Sequence, residues 1–323
     1  MSGTQQADTG SFRRRRIDVT IKLGEGSFGG SGSNTVKLSG LRVIVSILKA
    51  GFPSMDAARC RIWGVPPSIQ NQVSTLGVIF PNARQNNAMV IEAGDDKSGM
   101  SVVYAGNLNN VWRDMEDMPE TSLNLEGLAG KYAALFPTTA ASYPGSADVS
   151  VIMADIAAKN DWAFENNGVH VVLNNAYFPG SGLEQAHAAA RAAGIQMYLD
   201  SSTSPNLLTI WPEYGSRTGT IPLISPASGL IGYPKWRDLG MQFKTLYNPA
   251  IRMNGRIKME SSLGREGMPD TGQGKGTAEA PGGPNGEWVV ISPLVIDLSA
   301  ELPNGPWFSE VTCARVNGPG AAR

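Results

Sequence analysis

The chain has 323 residues, an apolar fraction of 41%, a charged fraction of 17% and a formal net charge of −1. This length gives enough apolar material for two or three domains, and the near-zero charge excludes a general nucleic-acid binder, which needs a strong basic excess. We find neither a run of roughly 18 apolar residues that could span a membrane nor an apolar signal-peptide core in Met1–Gly10.

A polar N-terminal arm is predicted at residues 1–16, and it ends in the basic run Arg13 to Arg16. Such a run is typical of an arm that lies on a neighbouring subunit, or of solvated charge. Binding to DNA or to an acidic partner is the alternative.

Residues 17–144 predict a first β domain. Short apolar–polar alternations between Gly, Pro or Asn turns are typical of the strands of a barrel or sandwich. The strand-like stretches are IDVTIKL, TVKLSGLRVIVSILKAG, AARCRIWGV, NAMVIEAGD and MSVVYAGNLNNVWRDM. The stretch PPSIQNQVSTLGV is typical of a short helix or a bent link instead.

Three glycines in IKLGEGSFGG, namely Gly24, Gly26 and Gly29, match the G-x-G-x-x-G loop of protein kinases. A kinase also needs an H-R-D catalytic loop and a metal-binding D-F-G, and the chain contains neither triplet. A dinucleotide-binding loop would open a helix, whereas the next apolar segment is strand-like. The glycines therefore predict a turn between two strands, where glycine adopts positive φ at little cost.

Composition changes at residues 145–215, which predict a small α/β domain. Ser146 is placed to cap a helix in ADVSVIMADIAAKND, and the strand GVHVVLN follows. Ser181 and Glu184 have capping-box spacing for a second helix, which Gly194 ends. Two strands, IQMYLD and LLTIWPE, joined by the turn SSTSPN, complete the domain.

Residues 216–323 predict a second β domain. Its strand-like stretches are SGLIGYPKW, GMQFKTLYNP, RIKMESSL, EWVVISPLVIDLSAEL and WFSEVTCARV. The Gly/Pro-rich segment 263–287 is too poor in apolar residues to pack a core and predicts a long loop between two strands.

No combination of residues predicts a catalytic site, a cofactor site or a metal site. His170 alternates with valines on a predicted strand, and His187 lies on the inward stripe of a predicted helix, so both are expected to be core histidines. Cys60 and Cys313 lie in strand-like stretches and are expected to be buried, reduced thiols. These four residues are too scattered for a zinc site.

Two acidic groups support an enzymatic alternative, because paired carboxylates can hydrolyse glycosides. They are Asp95 with Asp96, and Asp114 with Glu116 and Asp117 in the stretch that ends at Glu120. Each group lies beside a predicted turn and has no catalytic frame, so solvated charge is the favoured interpretation.

Five tryptophans fall in the predicted strands of the two β domains, where core packing is expected and interface contact is the alternative. They are Trp63, Trp112, Trp236, Trp288 and Trp307.

The order of several segments resembles the baseplate hub proteins of tailed bacteriophages, from about Thr20 to Phe308. The segments are NTVKLSGLRVIVSILKAG, STLG, IEAGDDKSGMSVVYAGNL, ISPASGLIGYP, LYNPAIRMNGRIKMES and GEWVVISPLVIDLSAELPNGPWF. The resemblance implies two tail-tube-type β-barrels separated by an inserted α/β domain, a fold that is mainly β.

The same resemblance implies a structural role in the virion, without enzymatic activity. Three copies would form a ring that adapts the sixfold tail tube to the threefold central spike and leaves a channel for DNA in transit. The expected partners are further copies of this chain, a tail tube or distal tail protein, the central spike protein and the tape measure protein. The alternative function is a tail-associated enzyme that degrades the cell wall with a carboxylate pair.

Overall fold

The computed structural model describes residues 14–29, 32–51, 53–74, 86–97, 99–116, 118–237, 240–261 and 284–316. The predicted arm at residues 1–13 and most of the predicted loop at 263–287 lie outside these ranges, as do Asp117 and most of the segment STLG. No helix in the described part is both long and apolar enough to cross a membrane.

The first β region is built of strands in which alternate residues are buried, as the period of two along a strand requires. Its elements are β1 (Arg15–Lys22), β2 (Thr35–Leu38), β3 (Val43–Lys49), β4 (Ala57–Trp63), α1 (Pro67–Val73), β5 (Ala88–Asp95), β6 (Gly99–Asp114), β7 (Ser122–Leu128) and α2 (Lys131–Leu135). Of these, β7 and α2 have no counterpart in the sequence-based prediction.

The glycine-rich stretch is the turn between β1 and β2. These strands pair antiparallel from Val19 with Leu38 to Lys22 with Thr35. Gly26 has a φ of 86°, a conformation that residues with a Cβ adopt at a cost. The prediction of a glycine turn between two strands is confirmed.

The middle region has sheets and a hydrophobic cluster of its own. Its elements are β8 (Ala141–Asp148), α3 (Val149–Lys159), β9 (Ala163–Asn166), β10 (Val172–Phe178), α4 (Gly182–Ala193), β11 (Ile195–Asp200) and β12 (Leu207–Pro212). Strand β8 pairs with β10, and β12 lies between β11 and β9. The predicted capping box, C-terminal glycine and hairpin are all present around α4 and β11–β12.

The prediction that Ser146 caps a helix is wrong. Ser146 belongs to β8, where its hydroxyl donates to Asn174 Oδ1 at 2.7 Å. The helix therefore begins at Val149, two residues later than predicted, and the Asp148 carboxylate accepts the Ser150 N–H at 2.8 Å as its cap. Because β8 runs through residue 145, the predicted boundary falls inside a strand, and the division into domains stays a prediction.

The second β region resembles the first in its alternation of buried and exposed residues. Its strands are β13 (Leu223–Ile224), β14 (Leu230–Arg237), β15 (Gly240–Leu246), β16 (Arg256–Met259), β17 (Gly286–Ala300) and β18 (Trp307–Arg315). All five stretches that were predicted as strands in this region are confirmed.

Both β regions belong to one large sheet. Its strand order is β14-β15-β18-β17-β3-β4-β7-β6-β5-β1-β2, with β16 pairing with β17 and β13 pairing with β16. One hydrophobic cluster correspondingly contains residues from β1 to β18. The fold is mainly β, as predicted, and the separation into two barrels stays a prediction.

Strand β17 joins the two β regions. Its first half pairs with β16 and its second half, from Leu294 to Ala300, pairs with β3. A bulge at Ser292–Pro293 separates the halves, which suits proline because it has no N–H to donate to a neighbouring strand. The Ser292 hydroxyl donates instead to the carbonyl of Ala50.

Candidate functional site: an ionic junction and two sheet edges

Two carboxylates of the predicted acidic stretch that ends at Glu120 form ion pairs with arginines. The Asp114 carboxylate binds Arg61 Nη2 at 3.0 Å and accepts the Glu116 backbone N–H at 3.0 Å. Glu120 forms an ion pair with Arg42. Among the described residues, no three His, Cys, Asp or Glu side chains come together as metal ligands. These carboxylates are part of surface ion pairs.

The described arginines of the basic run bind residues of their own chain. Arg14 Nη2 lies 2.6 Å from Glu301 Oε1, and the Arg15 guanidinium lies 5.4 Å from the centre of the Trp307 ring. Arg16 forms a forked pair with Asp18 at 3.0 Å. The contacts of Arg14 and Arg15 join the start of β1 to residues that follow β17, and the predicted roles of the basic run stay predictions.

The two histidines differ in environment. The prediction that His170 is a core residue is wrong, because its side chain is 80% exposed. Asn166 accepts the Val169 N–H in a tight turn, so β10 begins only at Val172. His187 is half-buried on α4, where burial and the nearby Arg191 lower its pKa to about 4.

Both cysteines are buried free thiols, and burial raises the pKa of each well above its usual value. A thiol that stays protonated is a poor nucleophile. All five tryptophans lie in strands, as predicted. Trp288 is fully buried and Trp236 packs edge-on against it at 5.8 Å, whereas Trp63 is half-buried between Arg42 and Arg61.

Charged side chains from three parts of the chain meet in what we call the ionic junction, which the sequence did not predict. It contains Lys49, Asp56, Glu165, Asp200 and Arg217. Lys49 ends β3, Asp200 ends β11, and Arg217 follows β12 on the way to the second β region. The junction thus ties the middle region to the parts of the chain before and after it.

Two cations hold the centre of the ionic junction. Arg217 Nη1 donates to Asp200 Oδ2 at 2.6 Å, while its Nε and Nη2 donate to the Glu165 carboxylate at 2.9 and 3.2 Å. Lys49 Nζ lies 3.5 Å from Asp200 and 3.9 Å from Asp56. All three carboxylates thus have a cation within 4 Å, and Asp200 has two.

The pKa values of two carboxylates of the ionic junction are shifted in opposite directions. Burial raises the pKa of Asp56, and Lys49, Ser201 and Tyr198 offset this only in part. Burial would also raise the pKa of Asp200, but the charges of Lys49 and Arg217 outweigh it and lower the pKa. The Tyr198 and Ser201 hydroxyls donate to Asp56 Oδ2 at 2.5 and 2.7 Å.

One edge of the large sheet is short and charged. Strand β2 has four residues and pairs only with β1 in the described part. Lys37 on β2 binds Asp18 at 3.1 Å and Glu92 at 2.7 Å. Short edge strands with lysine resist pairing with other chains. We call Arg16, Asp18, Lys37 and Glu92 the edge cluster.

The other edge of the large sheet is longer, and its first half, residues 230–233, is apolar, whereas Pro234, Lys235 and Arg237 follow in its second half. Strand β14 has eight residues, pairs only with β15 in the described part, and exposes 40% of Ile231 and 60% of Tyr233. Leu223 and Leu246 nearby are also exposed. An edge of this kind offers both unpaired backbone groups and apolar surface to another strand.

Comparison with known proteins gives one family and several similar folds. Residues 16–265 match the family described as Baseplate hub gp41, whereas no curated protein sequence matches the chain. Two similar structures are a tail protein from Neisseria meningitidis MC58 (TM-score 0.54, 10% identity, 94% of this chain and 99% of that chain covered) and the 43 kDa tail protein of prophage MuSo2 from Shewanella oneidensis (0.53, 9%, 93% and 97%).

A third similar structure is the E. coli c3393 protein, a component of the type VI secretion system that is itself similar to T4 bacteriophage tail proteins gp27 and gp5. It has a TM-score of 0.52 and 8% identity, and the match covers 94% of this chain and 80% of that chain. Identities this low show a shared fold and nothing more.

Proposed function

Because the chain belongs to the Baseplate hub gp41 family, we propose that it acts as a homotrimeric ring that adapts the sixfold tail tube to the threefold central spike. Its place in the phage tail baseplate follows from the family. The trimer, the channel for DNA and the absence of catalysis are parts of the proposal. Each copy would offer two β regions to the tube, so that three copies present six.

The difference in length and polarity between the two edges of the large sheet supports this proposal. In a ring, each copy must offer one surface that its neighbour covers. The apolar first half of the β14 edge, with Ile231 and Tyr233 exposed, suits that role, whereas Lys37 protects the β2 edge from pairing with another chain. We assign the contact between copies to β14 and the neighbouring Leu223 and Leu246.

The remaining partners follow from the position of such a ring. A tail tube or distal tail protein would cover one rim and the central spike the other, with the tape measure protein in the lumen. DNA would only pass through, because a chain with a net charge of −1 attracts phosphate groups weakly overall.

Size-exclusion chromatography with light scattering tests the proposal. We expect a trimer of the wild-type chain, either alone or after mixing with the spike protein of the same tail. Tyr233→Glu should weaken self-association about tenfold or more, because it places a charge in an apolar contact. Tyr177→Glu is the matched control, since Tyr177 is 61% exposed but lies on β10.

Two results would contradict the proposal in different ways. A wild-type chain that stays monomeric both alone and with its spike protein would exclude the trimeric hub. A trimer that Tyr177→Glu and Tyr233→Glu weaken equally would keep the hub but exclude β14 as the contact.

A further inference from the structure

A cleft of about 680 Å³ opens where the segment after β12 meets the turn before β16. Its walls come mainly from residues 215–221 and from Ala250, Arg252, Gly255 and Arg256, and Asn167 and Pro212 complete them. The cleft is separate from the β14 edge, and none of the predicted site residues lines it.

The lining of this cleft is basic. It includes Arg217, Arg252 and Arg256 but no Asp or Glu. By contrast, the cleft beside Arg14–Arg16 is also lined by Asp95, Asp96 and Glu301. A lining with three arginines and no acidic residue is unusual in a chain with 27 basic and 28 acidic residues.

The positive charges of the cleft are compensated to different degrees. Glu165 and Asp200 of the ionic junction neutralise the charge of Arg217. At the exposed surface, Glu287 lies 3.6 Å from Arg256 Nη1. Arg252 is exposed and forms no ion pair with any residue in the described part. The cleft therefore has a surplus of positive charge.

The loop at 215–220 adds hydrogen-bond donors that are held in place. The buried side chain of Asn167 accepts the Thr218 backbone N–H at 2.8 Å and the Thr218 hydroxyl at 2.9 Å through Oδ1. Arg256 Nε donates to the Ser216 hydroxyl at 2.9 Å. The backbone N–H groups of Gly219 and Thr220 have no acceptor among the described residues.

We propose that this cleft binds the phosphate group of a small phosphorylated molecule or inorganic phosphate itself. A phosphate presents several oxygens in a geometry that guanidinium groups bind in a forked manner. Free backbone N–H groups in a loop add further donors to an anion. The volume exceeds that of a single ion, so there is room for the organic part of a ligand.

Isothermal titration calorimetry of the full chain tests this inference, with sodium phosphate and glycerol 3-phosphate as separate probes at constant ionic strength. We expect saturable binding of at least one probe at millimolar concentration or below. Arg252→Gln should weaken it about tenfold or more, as the loss of a charged hydrogen-bond donor implies. Arg113→Gln is the control, because Arg113 is an exposed arginine of β6 outside the cleft.

The two probes separate the sources of the phosphate. Tighter binding of glycerol 3-phosphate indicates a phosphorylated molecule, and equal binding indicates the bare anion, and both results support the site. The inference would be overturned if neither probe bound at concentrations up to about 10 mM. Equal weakening of binding by Arg252→Gln and Arg113→Gln would overturn it too, since it would indicate a general effect of charge. Binding of a DNA duplex that Arg252→Gln abolishes and neither probe displaces would overturn it as well, because the cleft would then bind a polymer and not a small phosphorylated molecule.

Discussion

The edge cluster and the ionic junction are both built from acidic and basic side chains, but they differ in burial. In the edge cluster the Asp18 side chain is 1% exposed, while Lys37 is 49% exposed. In the ionic junction both cations are only 3% exposed. Water can therefore take the place of Lys37 at the edge but not that of Lys49 or Arg217 at the junction, so similar contacts contribute different amounts to stability.

The strongest test of this difference is Arg217→Met, which leaves Asp200 and Glu165 without their closest cation. Removing one partner of a buried ion pair costs about 3–5 kcal/mol, and we expect a loss of this size in the free energy of unfolding. Urea denaturation measures it. Arg113→Met, at an exposed position of β6, should change stability by less than about 0.5 kcal/mol. Equal effects of the two substitutions would contradict the difference in burial.

A smaller effect is expected for Lys37→Met in the edge cluster, about 1 kcal/mol, because Arg16 still binds Asp18 and water reaches the site. Burial alone would raise the pKa of Asp18, but hydrogen bonds from Arg16 and Lys37 lower it below its usual value. The stability that Asp18 contributes is thus present above about pH 4 and lost as the pH falls through its folded-state pKa.

In Lys37→Met the pKa of Asp18 should return toward its usual value, so the variant should lose less stability than the wild type on acidification below about pH 4. Denaturation midpoints over that pH range measure this difference. Lys22→Met serves as the control, since Lys22 is exposed at the end of β1. A parallel pH profile for wild type and variant would show that Lys37 does not set the titration of Asp18.

The smallest effect is expected for Asp56→Asn at the ionic junction, less than about 1 kcal/mol at neutral pH. The pKa of Asp56 is raised, so its contribution to stability is present below about pH 4 and lost as the pH rises through the folded-state pKa. Asparagine does not titrate, and the hydroxyls of Tyr198 and Ser201 can accept as well as donate.

Relative to the wild type, Asp56→Asn should therefore gain stability as the pH rises from about 4 toward neutrality. Thermal unfolding across that range measures the trend, with Asp96→Asn at an exposed turn as the control. If Asp56→Asn instead lost stability relative to the wild type as the pH rises, Lys49 would be stabilising the ionised carboxylate of Asp56, and the prediction would be wrong.

Local patterns account for the parts of the fold that the sequence predicts. Ser181, Glu184 and Gly194 fix both ends of α4 within one segment, and most strands show a period of two. The five-residue helix α2 is too short to show a helical period. Ser146 was a plausible cap in isolation, and only its pairing with β10 excludes it.

The ionic junction could not be predicted in the same way. Lys49 and Asp200 each end an apolar strand, which in sequence is typical of a solvated strand end. Their proximity depends on how β3 and β11 meet in the fold. Arg217 lies in a segment of small and polar residues that gives no sign of burial.

Because β17 pairs with β3, the sheet of the first β region can be completed only after β17 has been synthesised. Leu294 pairs with Lys49 and Ala300 with Val43. Strand β3 therefore lacks one of its two partner strands until the ribosome has synthesised β17, about 250 residues later in the chain. Contacts between such distant residues slow folding, because a long loop must close first. Strand β3 pairs with β4 on its other side, so until residue 300 has emerged the nascent chain presents one unpaired edge of β3 that a chaperone or another copy can reach.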